Sequence, residues 1–459
     1  MDPLGFEKVN TMRYLSLVIV AVAGLLAGGA GLTFTMASAD AGDKATFEEL
    51  GLMGDILNRI KADYVTDTDE PKLVQAGIQG MLRSLDPHSS YMPPDSFHDM
   101  QVQSSGEYGG LGIEITTEQG VVKVVSQIDD TPAQRAGIKA GDYITGVNGK
   151  TILGQSVDEA VEQMRGPAGS PITLTIARKD VDEPLDIKIV RAVITVHSVD
   201  WRIEDGDLGY IRIKTFNENT GDLLEEAFVG LRKKLGNKLR GLVLDLRNDP
   251  GGYLSQAIAV SDAFLDGGEV VSTRGRNPED IERYNARRGS LAKNLPVVVL
   301  INGGTASASE IVAGALQDRK RATLIGTTSF GKGSVQTVIP LNGGRDGALR
   351  LTTARYYTPS GRSIQATGIT PDIEIAAERS KKPVDRLSEA DLPHALRNEL
   401  ELQKKADAEK NDVKDAKKKP AKVEMPPEDY PKDKDYQLER AKQILSKIVL
   451  SGKVLAKAG

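Results

Sequence analysis

The chain has 459 residues, a formal net charge of −5 and no cysteine. That length accommodates two or three domains, the mild acidity argues against nucleic acid as a partner, and the missing thiols exclude disulfides, thiol catalysis and thiolate metal sites. None of the four histidines (His88, His98, His197, His394) falls at ligand spacing from another, so neither a metal nor any other cofactor is expected.

Between Arg13 and Asp40 there is no charged residue. Ala37-Ser38-Ala39 fits the small-x-small rule for signal cleavage, and the uncut run is long enough to span a bilayer. Residues 1–39 are therefore read as a signal peptide or a membrane anchor, and export is expected in either case. Met12 is an alternative start. Residues 40–100 form a helical region, with Phe47, Leu50, Ile56, Ile60, Leu73, Ile78 and Leu82 at roughly helical spacing. It closes on "LDPHSSYMPP", where His88 is read as a capping or packing residue. At the other end, residues 376–459 are expected to be a flexible charged tail. Lys, Asp, Glu and Ala dominate 376–422, read as a charged linker, and an amphipathic stretch, "YQLERAKQILSKIVL", follows as an expected C-terminal helical tail.

Residues 101–191 read as a separate β-rich module. "YGGLGIEI" places Gly109, Gly110 and Gly112 before an alternating strand, where successive backbone N–H groups can converge on a carboxylate. Asn148-Gly149 is a hairpin signal. In "SVDEAVEQM", Val157, Ala160, Val161 and Met164 share one helix face. This order of elements resembles a PDZ domain. The resemblance implies that a peptide C-terminus adds as a strand beside Leu111, Gly112 and Ile113, its carboxylate in the glycine loop that includes Gly110. Its last side chain would rest against Val161 and Met164, so protein or peptide substrates with apolar free C-termini are the expected partners.

Residues 192–375 alternate strand and helix, which predicts a mostly parallel α/β core whose loops gather at one sheet end. Strands are expected at 241–246 and 296–301, the first followed by a Pro-Gly-Gly turn and the second by Gly303-Gly304 and a helix from about Ala306. A third strand leads into "GTTSFGKGSVQ". Counted from Gly326, that loop begins like a phosphate-binding loop, and "LVLDL" with Asp245 has the look of a magnesium-binding strand. Against this, Gly333 stands where the metal-binding hydroxyl belongs, and the supposed magnesium strand precedes the loop instead of following it. A nucleotide-binding protein is thus an alternative of low weight.

Ser307 opens a helix, where backbone N–H groups can stabilise the anion of acyl transfer. No histidine lies in a comparable loop, but Lys332 does. A lysine serves as a base only if burial lowers its pKa from about 10.4 to about 7, which costs roughly 4 kcal/mol. "FGKGSV" has no acid within several residues and Phe330 nearby, as an apolar pocket requires.

"TASASEIVAGALQD" followed by "GTTSFGKGSVQ" closely resembles the carboxy-terminal processing (tail-specific) proteases, and the match extends through "LDPHSSYM" and "DLRNDPGG" over about residues 45–375. The resemblance implies a crotonase-like protease core and a serine endopeptidase that processes protein C-termini in the periplasm. It implies Ser307 as nucleophile, Lys332 as general base and Gln336, four residues beyond, as the residue orienting the lysine. It also implies an oxyanion hole from the N–H of Ala308 and of Gly251 or Gly252, and a contact of Arg165 linking the PDZ module to the protease as a regulatory candidate. Thr305 stands where many relatives have serine. Ser309 is a rival nucleophile expected to face elsewhere, and Glu310 supports the site or caps the helix. An adaptor or lipoprotein activator, inner-membrane anchoring and a homo-oligomer are left open. A non-catalytic PDZ adaptor is the remaining alternative, although both Ser307 and Lys332 are present.

Overall fold

The apolar spacing of residues 40–83 produces two helices, α1 (Asp40–Asp63) and α2 (Glu70–Arg83). Phe47, Leu50 and Ile56 of α1 are exposed. The structure, a computed structural model, describes residues 40–379, 387–399 and 423–457, apart from 119, 129, 130, 156, 180, 196 and 278. The expected signal or anchor at 1–39 and most of the charged stretch lie outside these residues. No helix among the described residues is long and apolar enough to cross a membrane. The chain divides into two units, 1–78 and 79–459, and everything below concerns the second.

After β1 (Ser90–Met92) and α3 (Pro94–Ser105), β2 (Glu107–Gly110) leads into a small β-domain. Its sheet runs β3 (Ile113–Glu118), β4 (Val121–Gln127), β5 (Tyr143–Val147), β7 (Pro171–Ala177), β8 (Leu185–Val190), with β6 (Lys150–Thr151) on β5. The short helix α4 (Pro132–Arg135) and α5 (Val157–Met164) complete it, and β9 (Ala192–Thr195) returns to pair with β2. Alternate residues of the strands, including Val122, Val124, Ile144, Leu174 and Ile176, fill one core, as period-two patterning dictates. Asn148 and Gly149 both take positive φ (50° and 75°), the hairpin conformation their dipeptide favours.

The larger core is built on a six-stranded sheet of β10 (Val199–Glu204), β11 (Leu208–Ile213), β12 (Gly241–Asp245), β15 (Val297–Ile301), β16 (Thr323–Gly326) and β19 (Ile373–Glu374). All neighbouring pairs are parallel except β10 with β11. Leu242, Leu244, Val297, Val299 and Ile301 face α6 (Thr220–Leu235), α7 (Leu254–Phe264) and α8 (Ala308–Asp318). Val243, Val298 and Leu300 face the other way, onto α9 (Tyr436–Lys457). Burial on both faces explains why these strands read as unbroken apolar runs.

Two expectations need correction. The core is not one mostly parallel layer: the six-stranded sheet is mixed, and a second sheet is antiparallel throughout. That sheet runs β1, β18 (Ala348–Tyr357), β13 (Gly268–Arg274), β14 (Ile281–Ala286), with β17 (Ser334–Pro340) on β18. Local apolar alternation cannot distinguish which strands will pair, or in which direction. Nor is the described part of the C-terminal tail flexible. Leu438, Ala441 and Leu445 of α9 are buried against the sheet, and Asp435 pairs with Arg247 at 2.6 Å. Gly241 makes the approach possible, since a Cβ there would lie 2.8 Å from Leu445 Cγ.

Candidate active site

β12, β15 and β16 are parallel, so their carboxyl ends deliver three loops to one edge: 246–253, 302–307 and 327–333. The first two are laced together. The buried Thr305 hydroxyl donates to Leu246 O at 2.8 Å and accepts the Asn302 N–H at 3.0 Å, so any residue here must carry a hydroxyl. Asn302 Oδ1 accepts the N–H of Asn248 and of Gly304, both at 2.9 Å, and Ala306 N–H donates to Asp249 O at 2.9 Å.

Ser307 sits at the end of this turn with φ 55° and ψ −115°. A non-glycine residue held there is strained, and such strain persists only where its surroundings enforce it. The serine is half-buried and heads α8. Ser309, in contrast, is fully buried and donates its hydroxyl to Asp249 O at 3.1 Å, so its oxygen is tied to the first of these loops.

Glu310 proves to be the clamp of the site. Its fully buried carboxylate accepts Ser307 N–H (2.9 Å) and Lys332 N–H (2.9 Å) on one oxygen, and Gly331 N–H (2.7 Å) and the Ser329 hydroxyl (2.5 Å) on the other. It caps the helix and supports the site at once, joining the backbones of the serine and lysine loops. Burial pushes its carboxyl up to about 7 against those four donors. Glu310→Gln should therefore destabilise the fold, because the amide NH2 would confront N–H groups that cannot reverse. Roughly 1–3 kcal/mol per abandoned donor is expected, with a parallel fall in activity. An unchanged unfolding midpoint would mean that the loops are joined by something else.

The Lys332 loop leads into β17, not into a helix, so no helix N-terminus is offered to a phosphate, and the nucleotide reading loses its structural basis. Lys332 is half-buried, and burial is the main cause holding its ammonium below the ordinary lysine range. Glu389 opposes that shift, Arg350 assists it, and Glu310 and Asp86 oppose it. The expected apolar pocket free of carboxylates is thus corrected: three acids bear on the lysine, from positions far away in the chain. Among the described residues, Lys332 and Ser307 side chains are not hydrogen-bonded to each other, as is common before substrate closes a site. Gln336 likewise spends its amide N–H groups on Ser334 Oγ (2.9 Å) and Thr352 Oγ1 (3.3 Å).

Gly251 packs against Ser307, where a Cβ would come within 2.9 Å of Ser307 Cβ and 2.8 Å of Ala308 N. Its φ of 94° also requires glycine. Its N–H, however, donates to Asp249 Oδ1 at 2.8 Å. Burial pushes that carboxyl up to about 7, with the Gly251 N–H and Ser309 acting against the rise. Ala308 begins α8, where N–H groups have no acceptor within the helix.

In the β-domain, Gly110, Leu111, Gly112, Ile113, Val161 and Met164 line one pocket of about 140 Å³, together with Arg165. β3 is an edge strand whose partner among the described residues is β4 alone, which leaves its outer edge open for an added strand. Gly109 is not part of the pocket. A Cβ there would meet Gly166 O at 2.2 Å, so close packing accounts for that glycine. Arg165 pairs with Asp99 of α3 at 3.2 Å.

The peptidase family S41 matches residues 207–375, the PDZ domain matches 123–178, and the activating protease CtpB N-terminal domain matches 31–96. The chain is 56% identical over 359 residues to a carboxy-terminal-processing protease of Bartonella bacilliformis, covering 78% of this chain and 82% of that protein. It is 38% identical to the carboxy-terminal processing protease CtpA of Bacillus subtilis, covering 69% and 66% respectively. Among solved structures, a photosystem II D1 C-terminal processing protease is 30% identical, with 69% of this chain and 90% of that chain covered at a TM-score of 0.41.

Proposed function

The chain belongs to the carboxy-terminal-processing proteases of peptidase family S41, and we propose that it is an exported endopeptidase that selects proteins by their C-terminus and cleaves them with Ser307 activated by Lys332. The observation that carries this reading is the Glu310 clamp, which holds the strained serine and the desolvated lysine at one loop cluster. In this reading the neutral amine of Lys332 takes the Ser307 proton as Oγ attacks the scissile carbonyl, and returns it to the leaving amine. The oxyanion that forms is held by the N–H of Ala308 and of Gly252, because the Gly251 N–H is already committed to Asp249. Gln336 acts on the lysine from β17, where its amide is tethered to Thr352. Export rests on the uncharged run before Asp40, and the periplasm is its destination.

Substrate selection falls to the β3–α5 groove. A peptide strand beside Leu111, Gly112 and Ile113 places its carboxylate at the glycine loop and an apolar terminal side chain against Val161 and Met164. Arg165 lines the same groove while bonded to Asp99, so an incoming carboxylate competes for its guanidinium and carries peptide occupancy to α3. Amidating the substrate C-terminus should raise KM or slow cleavage by about tenfold or more, roughly 1.4 kcal/mol. Steady-state cleavage of matched acid and amide peptides measures this, and equal rates would remove the groove from substrate selection.

A further inference from the structure

The lysine loop is braced by two residues outside the matched peptidase segment: His88, in the turn after α2, and Glu389, in the 3-10 turn Glu389–Asp391. His88 Nε2 lies 2.9 and 2.8 Å from the two oxygens of Glu389, whose side chain is 1% exposed. A ring nitrogen facing both oxygens of a carboxylate is there as a donor. The same carboxylate accepts the Gln365 amide N–H at 3.0 Å, and Gln365 Oε1 accepts Gly333 N–H at 3.0 Å. Glu389 also donates its own N–H to Phe330 O at 3.0 Å. Both links reach the loop that carries Lys332, one on each side of it.

The turn that holds His88 reaches the other side of the lysine as well. Asp86 accepts the N–H of His88 and of Ser89, the Ser89 hydroxyl and the Thr352 hydroxyl, and Thr352 Oγ1 accepts from Gln336. Of the charged groups bearing on the Lys332 ammonium (Glu389, Arg350, Glu310 and Asp86), Glu389 exerts the largest pull. Glu310 and Asp86 are each satisfied by four donors, whereas the side-chain partners of Glu389 are His88 and Gln365. A buried carboxylate–imidazole contact is a weak source of stability, because desolvation offsets its attraction. Packing alone does not explain one placed behind the lysine.

We propose that the His88–Glu389 pair is a positioning element for the base, fixing the 330–333 loop through Gln365 and setting how readily Lys332 releases its proton. The inference rests on the reading of Lys332 as the general base. The test is kcat and KM across pH for the full chain as wild type, Glu389→Gln and Glu389→Ala, with folding followed by the thermal transition. Glu389→Gln removes a negative charge that favours the ammonium, so the lysine loses its proton more easily. The rising limb of kcat/KM should move to lower pH by about half a pH unit, roughly threefold in rate at a pH on the limb, with KM unchanged. Glu389→Ala also removes the anchor, and kcat should fall by about tenfold to a hundredfold. If Glu389→Gln does not fold, His88→Gln carries the test. It removes the ring donor to Glu389, which leaves that carboxylate freer to favour the ammonium, and the limb should move to higher pH. A Glu389→Gln limb that coincides with the wild type or moves upward overturns the inference, as does an unmoved limb in a folded His88→Gln. A wild type without a rising limb, or an active Lys332→Arg, removes the general-base reading and this inference with it. An unmoved Glu389→Gln limb beside an inactive Lys332→Arg overturns this inference alone.

Discussion

Ser307→Ala should yield a folded protein whose kcat is lower by about four orders of magnitude or more, the range seen when a nucleophile acting as part of a unit is removed. The backbone there is already held at φ 55° by the Glu310 and Asp249 contacts of its neighbours, and alanine keeps the same main chain, so stability should change little. Substrate binding in the groove should persist, since Leu111, Ile113, Val161 and Met164 lie in another domain. The variant is therefore expected to capture peptide without turning it over. Ser309→Ala provides the contrast. It loses the buried bond to Asp249 O, about 1 kcal/mol of stability, and keeps proteolysis. An active Ser307→Ala with an inactive Ser309→Ala would reassign the nucleophile.

Lys332→Arg should be nearly as damaging, for a different reason. Arginine almost matches lysine in reach and retains the positive charge, but it stays protonated at any usable pH. A cation needed only for structure would tolerate the change with partial activity. A base would not, and a loss of about a hundredfold to ten-thousandfold is expected, or more because the serine is left unactivated. The wild type should show kcat/KM rising with pH along one ionisation. Burial disfavours the ammonium, so its proton leaves at a lower pH than a free lysine would allow, and the active form accumulates above that point. The decisive comparison is the arginine variant at about pH 8, above the expected limb, with folding checked by its thermal transition. Substantial proteolysis by a well-folded Lys332→Arg would sink the Ser–Lys mechanism.

The acids around Lys332 sharpen that prediction. With Glu389, Glu310 and Asp86 all favouring the ammonium, desolvation must outweigh three carboxylates, helped by Arg350. Two of those carboxylates are largely occupied elsewhere. Glu310 gives both oxygens to backbone and Ser329 donors, and Asp86 is saturated by its own turn and Thr352. Charge spent on such donors attracts a neighbouring ammonium less, which is how a lysine can be surrounded by acids and still be lowered.

Much of this protein was legible in its residue order. The unbroken apolar runs "GLVLD" and "VVVLI" predict strands buried on both faces, because successive side chains of an extended backbone point to opposite faces and here neither face is polar. Gly251, Asn148-Gly149 and the serine at the head of α8 announce their turns because positive φ and helix starts restrict which residues can stand there. The pairing of Ser307 with Lys332 is read from their loop positions and then from motif resemblance, and the groove residues from the order of elements. The tertiary structure alone decided what surrounds the lysine, that Glu310 joins both loops, that Gly251 N–H is engaged by Asp249, that β17 and β18 form a second, antiparallel sheet, and that the C-terminal helix docks on the far face of the six-stranded sheet, with Asp435 on Arg247. Strand and turn preferences act between neighbours along the chain. Desolvation and Coulomb attraction act through space, and the partners of Lys332, from Asp86 to Glu389, become neighbours only once the sheets have formed.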